Sequence, residues 1–365
     1  MDDERFMDEA LDLAARGRGL VSPNPLVGAV VVADGTVVGR GWHLGPGEPH
    51  AEVLALREAG EAARGATLYT TLEPCDHYGR TPPCTLAAIE AGVARVVVAA
   101  VDPNPVVDGR GLTRLRDAGL DVAPGVLEEP AGRLNEAFVK HVTTSMPFVT
   151  LKLAASLDGK VAARDGSSRW ITGEEARADV HRLRGASDAI VVGGGTAATD
   201  DPALTVRDPR YRGRPVLRVV VDASGRLPGT AAVLTDEAPT LVATTERAAE
   251  ERRAAWRTAG AEVVVYDTAD GRVPLAECFA DLGKRSIQSV LLEGGPTLAW
   301  SAVEVGLVDK VVLYLAPKVI GGDEAPGVLM GRGVETIAEA IGLRFTAVER
   351  LGPDLKVEAS VHRDR

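Results

Sequence analysis

A two-domain α/β fold is predicted by three features of this sequence. Short apolar strands alternate with amphipathic helical stretches along nearly the whole chain. That pattern pauses at a polar junction, residues 143–147, and then restarts. The length, 365 residues, suffices for two separate hydrophobic cores. The expected domains are 1–145 and 147–365.

Taken in order, residues 4–17 read as a helix with Phe6, Ala10, Leu13 and Ala14 on one face. Pro23-Asn24-Pro25 ends that region, and strands at 26–32 and 36–42 flank Asp34-Gly35, a hairpin signal. A helix follows from His50 to about Ala59, then a strand at 66–71, a helix at 82–91 and a strand at 95–101. A further helix, strand and helix reach about His141. In the second domain, strands are expected at 148–154, 189–192, 217–221, 240–243, 262–265, 290–292 and 310–315, with helices between most of them. Helices that alternate with strands imply sheets covered by helices.

Composition excludes several classes. Apolar residues make up 45% and charged residues 25%, as in ordinary globular proteins. No apolar run approaches the roughly 18 to 20 residues that span a bilayer, and the acidic start Met1-Asp2-Asp3-Glu4 does not read as a signal peptide. A cytoplasmic protein is expected. The net charge is −11, and residues 1–146 alone hold 13 basic against 21 acidic side chains. A nucleic-acid partner needs a basic footprint, so none is expected. The three cysteines do not form a disulfide framework in a chain of this size; Cys278 reads as a small core residue.

The first domain carries a metal constellation: Pro49-His50-Ala51-Glu52, Glu73-Pro74-Cys75 and Pro82-Pro83-Cys84. His50, Cys75 and Cys84 are the expected ligands. One imidazole and two thiolates suit zinc and leave a fourth position for water, whose pKa the metal lowers to about 7. Hydrolysis of an aromatic amine also needs a carboxyl to carry a proton to the departing nitrogen, and Glu52 is the expected catalytic residue. Zinc nucleobase deaminases carry His-x-Glu followed by Pro-Cys-x-x-Cys. Here the cysteines stand nine positions apart, so the insertion 76–83 must loop out, bringing His77 and Arg80 near a substrate. A closed structural site, with His77 or His43 as fourth ligand, is the alternative, although it has no use for Glu52. Asn24 is either a turn former or a support for the ring beneath the metal.

In the second domain two strands run into glycine turns, Gly193-Gly194-Gly195-Thr196 and Glu293-Gly294-Gly295-Pro296-Thr297. Such turns let backbone N–H groups approach a pyrophosphate, though neither matches Gly-x-Gly-x-x-Gly. Arg184 and Arg207 are placed to clamp a phosphate, or are solvated surface charges. Lys152 and Lys160 flank Ser156-Leu157-Asp158-Gly159, an ordinary turn by itself.

Taken together these motifs resemble the bifunctional deaminase/reductase family of riboflavin biosynthesis, in domain order and over essentially the whole chain. Pro23-Asn24-Pro25 with Val27-Gly28, 48–52, and 73–84 with its long inter-cysteine insertion match the deaminase half. Segments 152–159, 169–172, 200–207 and 293–298 match the reductase half. The resemblance implies a cytidine-deaminase-like zinc domain followed by a dihydrofolate-reductase-like domain. It implies hydrolytic deamination of 2,5-diamino-6-(5-phosphoribosylamino)pyrimidin-4-one, then reduction by NADPH of the ribosyl group of 5-amino-6-(5-phosphoribosylamino)uracil to ribityl. Zn2+ and NADPH are the implied cofactors, and phosphoribosylamino-pyrimidines the small-molecule partners. Carried over by position, Ala154, Trp170, Thr196, Asp200, Ala223, Gly295, Pro296, Thr297, Leu298, Ala299, Trp300 and Ser301 lie against the nucleotide. Ser168, Arg184, Leu204, Arg207 and Glu293 contact the reductase substrate, with Lys152 and Asp200 as candidate proton donors. The oligomeric state, a homo-oligomer included, is left open. Competing readings are a deaminase fused to a reductase-like domain without catalysis, a nucleotide-sensing second half, and a tRNA deaminase.

Overall fold

The computed structural model describes residues 2–79, 81–105 and 107–362. The chain divides into two compact units between Ser145 and Met146. No helix among the described residues is long and apolar enough to cross a membrane.

The first unit opens with α1 (Asp2–Ala15), whose three leading acids complement the positive end of its dipole. Its buried stripe is Phe6, Met7, Ala10, Leu13 and Ala14. Strands β1 (Gly28–Ala33) and β2 (Thr36–Trp42) form the expected hairpin, with Asp34 and Gly35 both at positive φ. There follow α2 (Ala51–Ala59), β3 (Thr67–Leu72), α3 (Cys84–Ala91), β4 (Arg95–Ala100), α4 (Arg110–Asp117), β5 (Asp121–Pro124), α5 (Glu128–Leu134) and α6 (Glu136–Thr144). The sheet runs β2-β1-β3-β4-β5, with β3, β4 and β5 parallel. Helices α1 and α5 cover one face, around Val30, Tyr69 and Val97. Helices α2, α3 and α4 cover the other, around Val31, Leu68 and Val96.

The second unit contains β6 (Phe148–Ser156), α7 (Glu174–Gly185), β7 (Ala189–Gly193), α8 (Gly194–Asp200), β8 (Leu217–Val221), β9 (Thr240–Thr245), α9 (Glu250–Thr258) and β10 (Glu262–Tyr266). It continues with α10 (Leu275–Lys284), β11 (Ser289–Leu292), α11 (Pro296–Glu304), β12 (Lys310–Ala316), β13 (Leu343–Leu351) and β14 (Asp354–Val361). The nine-stranded sheet runs β10-β9-β8-β7-β11-β6-β12-β14-β13. Its strands are parallel from β10 through β12, and β14 and β13 add an antiparallel edge. One core gathers α10 and α11, with Cys278 buried beside Phe279 and Leu282. Another gathers Trp256 of α9 with Ile190, Val192 and Val220.

The sequence reading did not anticipate the β13–β14 hairpin. The reason is physical: β13 is an exposed edge strand, and a register shift between Phe345 and Ala347 breaks its alternation. The expected helix at 82–91 begins at Cys84, because Pro83 is its N-cap.

Candidate active sites

In the first unit, two helix starts and one strand end converge. His50 is the N-cap of α2, Cys84 is the first residue of α3, and Cys75 follows β3. The ligand atoms of His50, Cys75 and Cys84 all lie within 4.8 Å of one another. His50 Nδ1 is 3.1 Å from Cys84 Sγ and 3.6 Å from Cys75 Sγ, and the Cys84 N–H donates to Cys75 Sγ at 3.5 Å. The other ring nitrogen, Nε2, meets Thr81 Oγ1 at 3.2 Å. That places an orienting group behind the imidazole, as metal-binding histidines need.

The helix bearing Glu52 is seated by two glycines of β2, Gly39 under Ala55 and Gly41 under Ala51. A Cβ on Gly41 would stand 2.1 Å from the Ala51 carbonyl oxygen, so only glycine lets the first turn of α2 lie directly on β2. Glu52 is 3% exposed, and its Oε2 has no hydrogen-bond partner among the described residues. Burial lifts its carboxyl to about 7 against the pull of His50. The Cys75 thiol moves the opposite way, to about 4, chiefly through its hydrogen bond with Cys84 and also through His50. A buried carboxyl with an open oxygen beside a His/Cys/Cys cluster fits a zinc site built for proton transfer.

The alternative fourth ligands do not join this cluster. His43 is 3% exposed, with Asn24 Nδ2 2.8 Å from its Nε2 and the Pro49 carbonyl 3.4 Å from its Nδ1. Asn24 therefore both turns the chain, its N–H donating to Val21 O, and engages His43. His77 is exposed, and Arg80 lies outside the described residues. Two residues were missed as functional: Thr81, visible only as a hydroxyl three places before Cys84, and Glu73. The buried Glu73 carboxylate accepts the N–H groups of Asp102, Gly109 and Leu112. It thereby caps α4 from the strand end that leads to Cys75.

In the second unit, β6, β7, β8 and β11 point the same way, and their C-terminal ends meet where sheet order departs from chain order, the usual crevice of open α/β sheets. The two glycine turns touch there. The Gly193 N–H donates to Gly294 O at 3.3 Å, and the Gly295 N–H to Thr196 Oγ1 at 3.1 Å. Gly294 has φ 110°, a conformation that favours glycine. Ala154 lies near the end of β6, Thr196 and Asp200 on α8, Ala223 just past β8, and Pro296 at the first position of α11. Two adjoining glycine turns and a helix start make a backbone cradle that fits a dinucleotide phosphate. Trp170 is 63% exposed, with the Arg177 guanidinium 4.7 Å from its ring centre. Ala299 is placed differently from expectation: it is fully buried in the core against the sheet. Leu204 is also buried, packed with Ile190 and Val220.

Glu293 leaves β11 with its side chain 5% exposed. Arg184 grips it through Nε at 2.5 Å and Nη2 at 2.9 Å, and Lys152 of β6 stands 3.9 Å away. Burial alone would raise the Glu293 carboxyl, but Arg184 outweighs it and holds the group below its ordinary value. Burial pushes the Lys152 ammonium down. The remaining arm of Arg184, Nη1, donates to Thr205 O at 3.1 Å. Three of the five guanidinium N–H groups are thus engaged by protein oxygens. Of the two arginines considered for a phosphate clamp, Arg184 is engaged by Glu293 and Thr205, and Arg207 is exposed. His181, another missed residue, accepts the Arg207 N–H at 3.1 Å.

Comparison with known proteins agrees with this division. Residues 1–100 match the cytidine and deoxycytidylate deaminase zinc-binding region, and residues 147–357 match the RibD C-terminal domain. The riboflavin biosynthesis protein RibD of Escherichia coli is 44% identical over 97% of this chain and 98% of its own length. That of Bacillus amyloliquefaciens is 44% identical over 98% and 96%. Among solved structures, Acinetobacter baumannii RibD superposes with a TM-score of 0.88 at 39% identity, covering 99% of both chains. A Thermotoga maritima diaminohydroxyphosphoribosylaminopyrimidine deaminase/5-amino-6-(5-phosphoribosylamino)uracil reductase gives 0.87 at 37%, again covering 99% of both. The first unit is thus cytidine-deaminase-like and the second dihydrofolate-reductase-like. The chain belongs to the RibD family and is a bifunctional deaminase/reductase of riboflavin biosynthesis.

Proposed function

We propose that the first unit removes the amino group of 2,5-diamino-6-(5-phosphoribosylamino)pyrimidin-4-one by hydrolysis, and that the second reduces the ribosyl group of the product with NADPH. The observation that carries the first step is the His50, Cys75 and Cys84 cluster beside a buried carboxyl with an open oxygen. His50 Nδ1 and the two thiolates would hold Zn2+, which supplies a Lewis acid that makes water acidic near neutral pH. Glu52 carries a proton to the leaving nitrogen, since an amine departs poorly unless protonated. Thr81 fixes the His50 ring through Nε2.

The contact between the two glycine turns supports nucleotide binding in the second unit. NADPH supplies hydride there. Gly295 to Leu298 with Trp300 and Ser301, together with Thr196, Asp200, Ala154, Trp170 and Ala223, would surround the nucleotide, and Ala299 packs beneath them in the core. Glu293, fixed by Arg184, orients the ribosyl substrate together with Ser168, exposed Arg207 meets its phosphate, and buried Leu204 supports that segment from the core. Lys152, buried beside Glu293, is placed to hold or give a proton. The net charge of −11 argues against a nucleic-acid partner, and small anionic substrates would bind at local arginines.

A two-stage assay tests this reading. Zinc-loaded protein given the diaminopyrimidinone ribotide should release ammonia without NADPH, and added NADPH should then be oxidised. Ammonia release without any NADPH oxidation would refute the second assignment, and no ammonia release would refute the first. Gly41→Ala should push α2 off the sheet, and bound zinc, read by atomic absorption, should fall well below about one ion per chain. Full zinc content in that variant would show that the Gly41 contact is not needed.

A further inference from the structure

Helix α7 does more than supply Arg184. Along its length it meets three parts of the second unit. Its N-cap residue, Gly173, donates its N–H to the buried carboxylate of Asp354, at the start of β14, at 2.6 Å. Near its middle, Asp179 is 5% exposed and faces the sheet. Its Oδ2 accepts the Tyr314 hydroxyl at 2.7 Å and Lys356 Nζ at 3.1 Å. Its Oδ1 accepts two N–H groups from Arg182, and Lys356 also reaches Glu358 at 2.8 Å. Toward its end, His181 holds the Arg207 backbone, and Arg184 holds both Glu293 and Thr205. Three of the residues assigned to the reductase substrate therefore hang from this one helix.

The apolar contact beneath α7 is small. Its fully buried members are Ala176, Val312 and Tyr314, with Ala154, Val180, Leu183 and Leu351 at the margin. A narrow greasy contact leaves a helix free to rotate or slide, because the hydrophobic effect has no direction. Hydrogen bonds to a buried carboxylate do have direction. Tyr314 is fully buried on β12, in register with Lys356 on β14 and with Ala154 on β6. It ties α7 to the strand that borders the nucleotide site. Burial alone would raise the Asp179 carboxyl, but its bonds from Tyr314, Arg182 and Lys356 prevail and hold it below the ordinary value. The carboxylate is thus present as a charged anchor at neutral pH.

We infer that Tyr314, Asp179 and Lys356 are positioning residues of the reductase, fixing the placement of α7 and, through it, the Arg184–Glu293 pair and the segment that carries Arg207. The inference rests on the reading that Arg184, Arg207 and Glu293 serve the ribosyl substrate. Tyr314, Asp179 and Lys356 are not among the residues assigned to substrate or nucleotide. The glycine turns of the nucleotide site lie on β7–α8 and β11–α11, while Ala154 packs at the margin of the α7 contact and Arg177 of α7 lies over Trp170. Loosening α7 should therefore weaken substrate recognition far more than nucleotide binding.

Tyr314→Phe removes one oxygen from the cluster, and Asp179→Asn removes its charge while keeping its shape. With the full-length protein and supplied deaminated ribosyl substrate, each should raise the KM for that substrate about five- to ten-fold. The KM for NADPH, kcat and ammonia release should stay within about two-fold. A loss of stability alone lowers the active fraction and so kcat, and does not produce this split. Substrate KM within about two-fold of the parent in both variants overturns the inference, as does an equal rise in both KM values. If Asp179→Asn does not fold, Tyr314→Phe decides. Arg184→Ala separates the two claims. Should it also leave substrate KM unmoved, the functional reading has failed; should it raise KM while Tyr314→Phe does not, only the positioning role has.

Discussion

Glu52→Gln is expected to slow ammonia release by a factor of about one hundred to ten thousand, the range of a lost general acid–base group. Reduction of supplied deaminated product should stay within about two-fold. The reasoning starts from burial. Glu52 is 3% exposed in the first turn of α2, and one carboxyl oxygen is without a partner among the described residues. A group so placed contributes nothing visible to stability, and burial holding it at about 7 suits it to both accept and release a proton near neutral pH. Glutamine keeps the shape and removes the group that can take up and give back a proton near neutral pH. Parallel measurements of ammonia and of NADPH absorbance check this. Equal loss of both signals in a folded variant would sink the assignment of one chemistry to each unit.

Glu293→Gln is expected to abolish most NADPH oxidation and to destabilise the second unit by about 3–5 kcal/mol. That is the usual effect of leaving one member of a buried ion pair without its partner. Arg184 is 12% exposed and Glu293 5%, so solvent screens little of the remaining charge. The melting transition of that unit should fall by roughly ten degrees. Ammonia release should persist. Replacing all three charged partners with apolar residues of similar volume, Arg184→Met, Glu293→Leu and Lys152→Met, should recover much of the stability and none of the reduction. Recovery of reduction would show that the pair is structural only. The pH dependence has a definite sign. The folded carboxyl titrates below its ordinary value of 4.5. Its contribution is therefore in place above that ordinary value and is lost as pH falls through the lowered one. Acid melting of the parent should show this loss, and Glu293→Gln should lack it.

What the sequence made legible follows a physical pattern. The α1 stripe, the Asp34-Gly35 hairpin and the alternation of strands with helices were readable because each depends on local periodicity or turn chemistry. The His50, Cys75 and Cys84 cluster was readable because metal chemistry restricts residue type so strongly. The β13–β14 hairpin was not, since an exposed, bulged edge strand lacks a buried face to pattern it. Nor could spacing show that Arg184 is already engaged by Glu293, a partner 109 residues away. Thr81 and Glu73 were hidden for the same reason: a hydroxyl behind an imidazole and a carboxylate capping a distant helix are visible only in three dimensions.

The junction at Ser145 and Met146 has a stoichiometric consequence. Two catalysts translated as one polypeptide are always made in equal number, whatever the expression level. The balance between supply of the intermediate and its consumption is then set by turnover alone, and no change in gene dosage can tilt it.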